Sequence, residues 1–457
     1  EYTFDKNIYD YHWYTGQYDY TTIQGGSSKS FVDDYLRKYK QHTNYNSINV
    51  YATYNKDFGN HHFKVMAGFN QESSYQETLD TYSYNQAVLD VPAMSSGTGT
   101  IKATDSYSEY AIRGGFFRVN YNYLDKYLLE VNGRYDGSSK FPKSSRFGFF
   151  PSVSAGWQIA QERFMNSTRH WLDGLKLRAS YGVIGNQNIN PYTFTPSMSV
   201  NNKATSWIID DTYVTSISSL PALVSQNFTW EKVGTINVGL DVNLFNNRLS
   251  GVFEWYQRNT NGMLAPGVQL PAVVGASAPY QNTADMRTRG WELSLNWRDQ
   301  IGKVGYRIGF NLSDYKSEII KYDDNAATKL LSSYYPGQTL GEIWGYVVDG
   351  YYTVDDFVDT SSWQLKEGVT SINGYNVRPG DVKFKNLRDD DTSTNVITSG
   401  DNTFDNPGDR KVIGNTTPRY QYGINLGMNY AGFDLNVIFQ GTGKRDYWIS
   451  NVLTFPM

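Results

Sequence analysis

Along much of the chain, apolar and polar residues take turns one by one. From 235 to 244, Ile236, Val238, Leu240, Val242 and Leu244 alternate with Thr235, Asn237, Gly239, Asp241 and Asn243. From 291 to 298, Trp291, Leu293, Leu295 and Trp297 alternate with Glu292, Ser294, Asn296 and Arg298. The rhythm returns in Tyr306, Ile308, Phe310 and Leu312, and again in Tyr420, Tyr422, Ile424, Leu426, Met428 and Tyr430. Successive side chains of a strand point to opposite faces, so each segment predicts a strand with one apolar and one polar face. Related patterns near 47–56, 61–72, 115–123, 127–135, 149–159, 175–184, 248–257 and 433–440 bring the expected total to about 12–14 strands.

A soluble sandwich would alternate in the same way, so the connections decide. Asp57–Asn60, Leu124–Lys126, Asn246–Asn247, Gln300–Lys303 and Ala431–Gly432 read as tight hairpin turns. Between them lie long connections at 76–106, 187–231, 258–284 and 317–416, with a shorter one at 137–147. Short and long alternate from 44 to 445, and the one medium segment on the short side, 160–174, predicts a short helix over Phe164–Leu172. Short turns at one end and long loops at the other are the habit of a transmembrane antiparallel up-and-down β-barrel. A Greek-key sandwich has no reason to keep that order. The short turns are then periplasmic and the long loops extracellular. The loop region 317–416 is too long to be structureless, and small β elements are expected inside it, for example over Ile343–Tyr352.

Composition removes other possibilities. The hydrophobic fraction is 39% and the mean hydropathy −0.54. No apolar run approaches the ~20 residues of a membrane helix, but a barrel strand needs lipid-facing residues only at every second position. Aromatics reach 16%, with 38 Tyr and 11 Trp, which suits an interfacial girdle or a sugar-binding surface as well as plain strand propensity. A net charge of −4 without a dense basic stretch argues against nucleic acid as a partner. Cysteine is absent, which fits an oxidising envelope but is weak evidence. His12, His42, His61, His62 and His170 make neither a metal motif nor a Ser–His–Asp set, so no catalytic residue is nominated and an enzyme is not expected. Glu1–Asp5 does not read as a signal peptide; either a leader has been cleaved or the chain starts partway into a larger protein.

Several blocks carry a family resemblance. Arg134–Phe141 (Arg-Tyr-Asp-Gly-Ser-Ser-Lys-Phe), Phe147–Trp157, Leu175–Gly182 continuing to Gly185-Asn186-Gln187, Thr229-Trp230-Glu231, Asn237–Asp241, Arg289–Leu293, Val412–Asn415 and Thr417–Tyr420 resemble SusC-like TonB-dependent outer-membrane transporters, in family order from about 107 to 445. The resemblance implies a 22-stranded barrel around a plug, import of an oligosaccharide or in some members a peptide, energy relayed by TonB, and a SusD-like surface lipoprotein over the mouth. No plug, TonB box or terminal strand is recognisable in 1–457, so the chain reads as the middle and later barrel of a longer protein. A barrel that displays loops and transports nothing is the rival reading.

Two sets of site residues follow. Rings stack on sugar faces and neighbouring amides bind hydroxyls, so the loop aromatics Trp207, Tyr213, Tyr280, Trp344 and Trp363 are candidates for substrate contact. Taken singly, each is more readily explained by local packing or the lipid girdle. The resemblance also implies an Asp-rich calcium loop downstream of 379–384. Here its positions read Asn386, Arg388 and Asp390, with Asp405 and Asp409 nearby; Arg388 breaks the ligand pattern, so a degraded Ca2+ site competes with a solvated acidic loop.

Overall fold

We describe the protein from a computed structural model, which covers all residues except 1, 14–34, 88–92, 199, 202–207, 210–211, 214–216, 219–220, 226–227, 269, 326–327, 332–333, 389–394 and 449–457. Thirteen strands form one sheet: β1 (Tyr2–Trp13), β2 (Tyr35–Phe58), β3 (His61–Tyr84), β4 (Ile101–Tyr123), β5 (Tyr127–Ser138), β6 (Phe147–Gln158), β7 (Leu172–Asn186), β8 (Glu231–Leu244), β9 (Leu249–Pro266), β10 (Tyr280–Ile301), β11 (Val304–Tyr322), β12 (Arg419–Tyr430) and β13 (Phe433–Lys444). Every strand pairs antiparallel with its sequence neighbours, the up-and-down order expected of a barrel wall. No helix among the described residues is long and apolar enough to cross a membrane.

The register turns the alternation of single strands into two continuous surfaces. Leu177, Leu240, Phe253, Leu293, Leu312 and Tyr422 are consecutive cross-strand partners from β7 to β12, so they share a face. One residue along, Arg178, Gly239, Glu254, Glu292, Ser313 and Gln421 form the matching row on the other face. A one-residue slip in any pair would put charge into lipid, which is why the register is firmly specified. The first row faces lipid and the second lines the lumen.

At the periplasmic end the turns are as short as the sequence predicts. Asn246 and Asn247 take the left-handed region at φ 56° and 59°, the conformation of a tight hairpin turn. Beside these turns aromatic rings gather on the lipid face. Phe63 lies 4.8 Å from Tyr121, Tyr123 6.2 Å from Tyr127, and Phe245 6.3 Å from Trp297, whose indole N–H donates to the Tyr306 hydroxyl at 3.3 Å. Such rings mark the lipid–water boundary. The medium connection departs from expectation. Instead of a helix over Phe164–Leu172 it holds a 3-10 segment at Arg163–Thr168, and Leu172 already opens β7. Glu162 organises this connection: its carboxylate accepts from the Tyr127 hydroxyl at 2.7 Å, Lys126 Nζ at 3.1 Å and Trp157 Nε1 at 3.2 Å.

At the extracellular end the loops begin later than predicted. The 76–106 connection is strand up to Tyr84 and again from Ile101, and that at 258–284 is strand to Pro266 and from Tyr280. β2 and β3 have 24 residues each, against the 9–11 that cross a bilayer. Their lipid faces show where the membrane stops. Tyr54, Ala52, Val50 and Ile48 are followed by Asn46, Asn44, His42, Lys40 and Lys38. From Asn46 to Lys38 the outward face of β2 is polar, and the hairpins rise beyond the bilayer.

Candidate functional site

The lumen face of the sheet is built from paired charges and amides. Arg178 on β7 pairs with Asp241 on the neighbouring β8 at 3.1 Å and reaches across β8 to Glu254 on β9. A Cβ on Gly239 would lie 2.6 Å from the guanidinium carbon, so this glycine leaves the arginine its place between two carboxylates. Farther round, Asn120 and Asn132 donate to Glu130 at 2.5 and 2.7 Å, and Arg118 Nε donates to Asn132 Oδ1 at 2.7 Å. Lys64, Glu130, Ser154, Lys176 and Arg178 line one concavity of this wall. Charges of both signs neutralise one another while staying partly wet. That suits a path for a polar solute.

At the outer end of the wall, Phe141, Phe150, Phe228 and Trp230 form a buried aromatic cluster, with Val183, Ile189, Phe194 and Leu264 packed around it. Phe141 and Phe150 lie 5.0 and 5.2 Å from Trp230, the second edge-on. The Trp230 indole donates to the Arg146 carbonyl at 2.9 Å, and the Thr229 N–H donates to Asn282 Oδ1 at 2.9 Å. Glu231 accepts from the Leu264 N–H at 2.8 Å and from Asn186 Nδ2 at 2.6 Å. Four of the recognisable sequence blocks therefore meet at one point, where the loop over 187–230 returns to the sheet. Sequence reasoning gave these residues no role. The available signal was a Trp-Glu pair at the end of a long loop, matched by Phe and Asn at the ends of two other connections.

The long loop between β11 and β12 is a small folded unit. Glu342–Tyr346 pairs antiparallel with Arg410–Asn415, Val348–Tyr351 with Val382–Phe384, and Ser371–Ile372 runs parallel to Val396–Ile397. β elements over Ile343–Tyr352 were expected, and two of these strands lie there. Tyr352, Phe357 and Val377 make its core. Tyr335 is buried and donates its hydroxyl to Glu342; burial first, and that carboxylate second, push the phenol well above its ordinary range.

Among the nominated aromatics whose side chains are described, Tyr280, Trp344 and Trp363 lie in separate places. Trp344 donates its indole N–H to Glu342 Oε1 at 2.8 Å and to the Tyr335 hydroxyl at 3.0 Å, inside the loop unit. Trp363 packs edge-on against Phe357 at 5.5 Å, in the other loop core. Tyr280 stands exposed at the start of β10. Tyr213 belongs to a two-residue strand paired with Ile208–Ile209, and Trp207 lies outside the described residues.

The acidic positions are equally specific. Asp409 is 0% exposed, and its carboxylate accepts backbone N–H groups from Leu387 at 2.7 Å, Arg388 at 3.2 Å and Thr398 at 2.8 Å. Asn386 donates to Asn395 Oδ1 at 2.9 Å and accepts from the Arg388 N–H. Asp405 offers its backbone carbonyl to the Arg388 guanidinium at 3.2 Å. Asp390 lies outside the described residues. Among the described residues no group of three His, Cys, Asp or Glu side chains is placed to hold a metal.

A sheet that is wet on one face and apolar on the other, girdled by aromatics near its short turns and crowned by folded loops, is the wall of an outer-membrane β-barrel. The chain belongs to the family described as TonB dependent receptor-like, beta-barrel, which matches residues 1–452. It is similar to TonB-dependent receptor P3 of Formosa agariphila, 29% identical over 447 residues, covering 93% of this chain and 41% of that protein. It is also similar to TonB-dependent receptor SusC of Bacteroides thetaiotaomicron, 32% identical over 283 residues, covering 60% of this chain and 27% of that protein. The RagAB peptide importer in its open-open state shares the fold, with TM-score 0.71 and 22% identity over 90% of this chain and 41% of that one. The SusC-like resemblance read from the sequence is borne out, and with it the outer-membrane location. The chain spans about two fifths or less of the length of these relatives.

Proposed function

We propose that the protein containing this chain imports a bulky polar nutrient across the outer membrane, driven by TonB and served by a SusD-like surface lipoprotein. The carrying observation is the continuous polar wall of paired charges and amides, running from the periplasmic turns to the folded outer loops, in a chain of the TonB-dependent receptor family. The paired charges leave no strong field of one sign, which suits an uncharged solute. An oligosaccharide is favoured over an oligopeptide by the aromatic content and by the kinship with SusC. No covalent chemistry is assigned; binding, occlusion and release suffice. The test is growth of cells with and without the gene, and with and without TonB, on panels of defined glycans and of defined peptides. Import predicts a growth defect on one class of nutrient that loss of TonB reproduces. Undiminished growth on every nutrient would leave the displaying, non-transporting barrel.

A further inference from the structure

The part of β2, β3 and β4 that stands above the membrane has an inner face continuous with the lumen wall, and nothing in the import reading requires its composition. On that face no aliphatic side chain occurs from Tyr35 to Ser47 on β2, from Glu72 to Tyr84 on β3, or from Lys102 to Tyr110 on β4. Every position there carries a ring, hydroxyl, amide or charge. At the top, Tyr35 lies 5.5 Å from Tyr82 and 5.7 Å from Tyr84, while Tyr82 and Tyr84 stack at 6.3 Å. Arg37 sits 5.4 Å over the Tyr82 ring and grips Asp80 with Nε at 2.9 Å and Nη2 at 2.8 Å, so the platform is braced, and Lys102 Nζ stands 4.8 Å over the Tyr84 ring. Lower down the Tyr45 hydroxyl donates to Glu72 at 2.8 Å, where the face runs into the lumen at Asn49 and Asn70.

We infer that this inner face is a capture surface for a neutral oligosaccharide, with the Tyr35, Tyr82 and Tyr84 rings as its platform and the amide and hydroxyl rows below as its track into the barrel. Sugar C–H faces stack on tyrosine rings, and ring hydroxyls exchange hydrogen bonds with Gln41, Thr43 and Thr78. A peptide cannot dock here by strand addition, which needs a free edge, because β2 and β3 are hydrogen-bonded on both sides. On this face Arg37 and Lys102 are balanced by Asp80 and Glu72, which argues against a charged glycan. This deepens the import proposal, on which its physiological meaning rests.

The test uses the full-length protein in detergent, titrated calorimetrically with neutral hexasaccharides of several linkages, a uronic hexasaccharide and hexapeptides. Binding of a neutral hexasaccharide is expected, with Tyr35→Ala/Tyr82→Ala losing roughly tenfold in affinity, the scale of two ring contacts. Tyr82→Phe retains most of it. Tyr75→Ala/Tyr107→Ala, on the outward face of the same hairpins, leaves it unchanged and controls for folding. Absence of neutral-sugar binding, binding only of peptides or uronate, or equal losses in the inward and outward pairs would overturn the inference. Uptake of the bound sugar by cells with and without the gene is read separately: capture without gene-dependent uptake leaves this surface standing and removes the import reading.

Discussion

Asp314 on β11 and Arg419 at the start of β12 form a two-pronged ion pair, with Nε and Nη2 each 2.5 Å from a carboxylate oxygen, across 105 residues of chain. The pair sits at the neck of the largest outer loop, where two neighbouring strands leave and re-enter the sheet. Asp314 is only 8% exposed, so the carboxylate depends on this partner. The planar fork of arginine fits both oxygens, which a lysine cannot do.

Arg419→Met is therefore expected to lower stability by about 1–3 kcal/mol, the cost of leaving a largely buried acceptor unmatched. Arg419→Lys should recover part of that loss, and the double variant Asp314→Asn/Arg419→Met more of it. Urea unfolding from lipid vesicles checks the order. Equal stability of Arg419→Met and the parent would show that the neck is held by strand pairing alone.

The two faces of the sheet predict opposite tolerances to charge. Leu240 and Leu293 lie in the lipid row, each flanked by Phe253 on β9. Arginine at either position is expected to cost ~2–4 kcal/mol if it lies near the bilayer midplane, and much less at Ser294, one residue along on the lumen side. Refolding yields into vesicles over a urea series measure the difference. Similar costs on both faces would contradict the assigned inside and outside.

How far this architecture could be read beforehand depended on what imposes the pattern. Lipid forces alternation, so the segments between Ile48 and Phe58 or Phe63 and Phe69 announce themselves, and the hairpin turns with them. Above the membrane both faces meet water, apolar alternation is no longer required, and β2 extends back to Tyr35, well before the pattern at 47–56. The short helix expected at Phe164–Leu172 is present only as the 3-10 turns of Arg163–Thr168 and stops early, because Leu172 already opens β7. The Phe141–Trp230 cluster was visible only as separate blocks, since its partners lie far apart along the chain and no local pattern encodes that distance. Trp344 and Trp363 show the limit for site residues: a loop tryptophan looks the same in sequence whether it waits for a sugar or fills a small core.

Asp409 illustrates how the outer loop keeps its shape. Its buried carboxylate gathers N–H groups from Leu387, Arg388 and Thr398, drawing two stretches of irregular chain onto one side chain. Asp409→Asn replaces an acceptor oxygen with a donor and leaves at least one buried N–H unmatched, a loss of about 1–3 kcal/mol. Hydrogen exchange should quicken at those three amides while the strand amides of β11 and β12 keep their protection. Because the carboxylate oxygens are already engaged by backbone donors, chelation of calcium is expected to leave this exchange pattern unaltered. Faster exchange on chelation would restore a cation to the loop.

The same loop unit should loosen with acid in a defined direction. Asp356 accepts the Thr353 N–H at 2.7 Å and an ion pair from Lys383 at 3.2 Å, and the backbone donor first, the ammonium also, hold its carboxyl below the usual value of 3.8. A carboxyl whose folded value is depressed stabilises the fold fully above its unfolded value and loses that contribution as pH falls through the folded one. Protection of the Thr353–Lys383 segment is thus expected to be flat from neutrality down to about pH 4 and to decline below it. Asp356→Asn should start from lower protection and show less of this decline, whereas Lys383→Met should shift the decline to higher pH by weakening the bias toward the charged form. Limited proteolysis of the loop across that pH range, with an acid-stable protease, gives the readout. A parent and an Asp356→Asn variant with superimposable acid profiles would remove this pair from the account of loop stability.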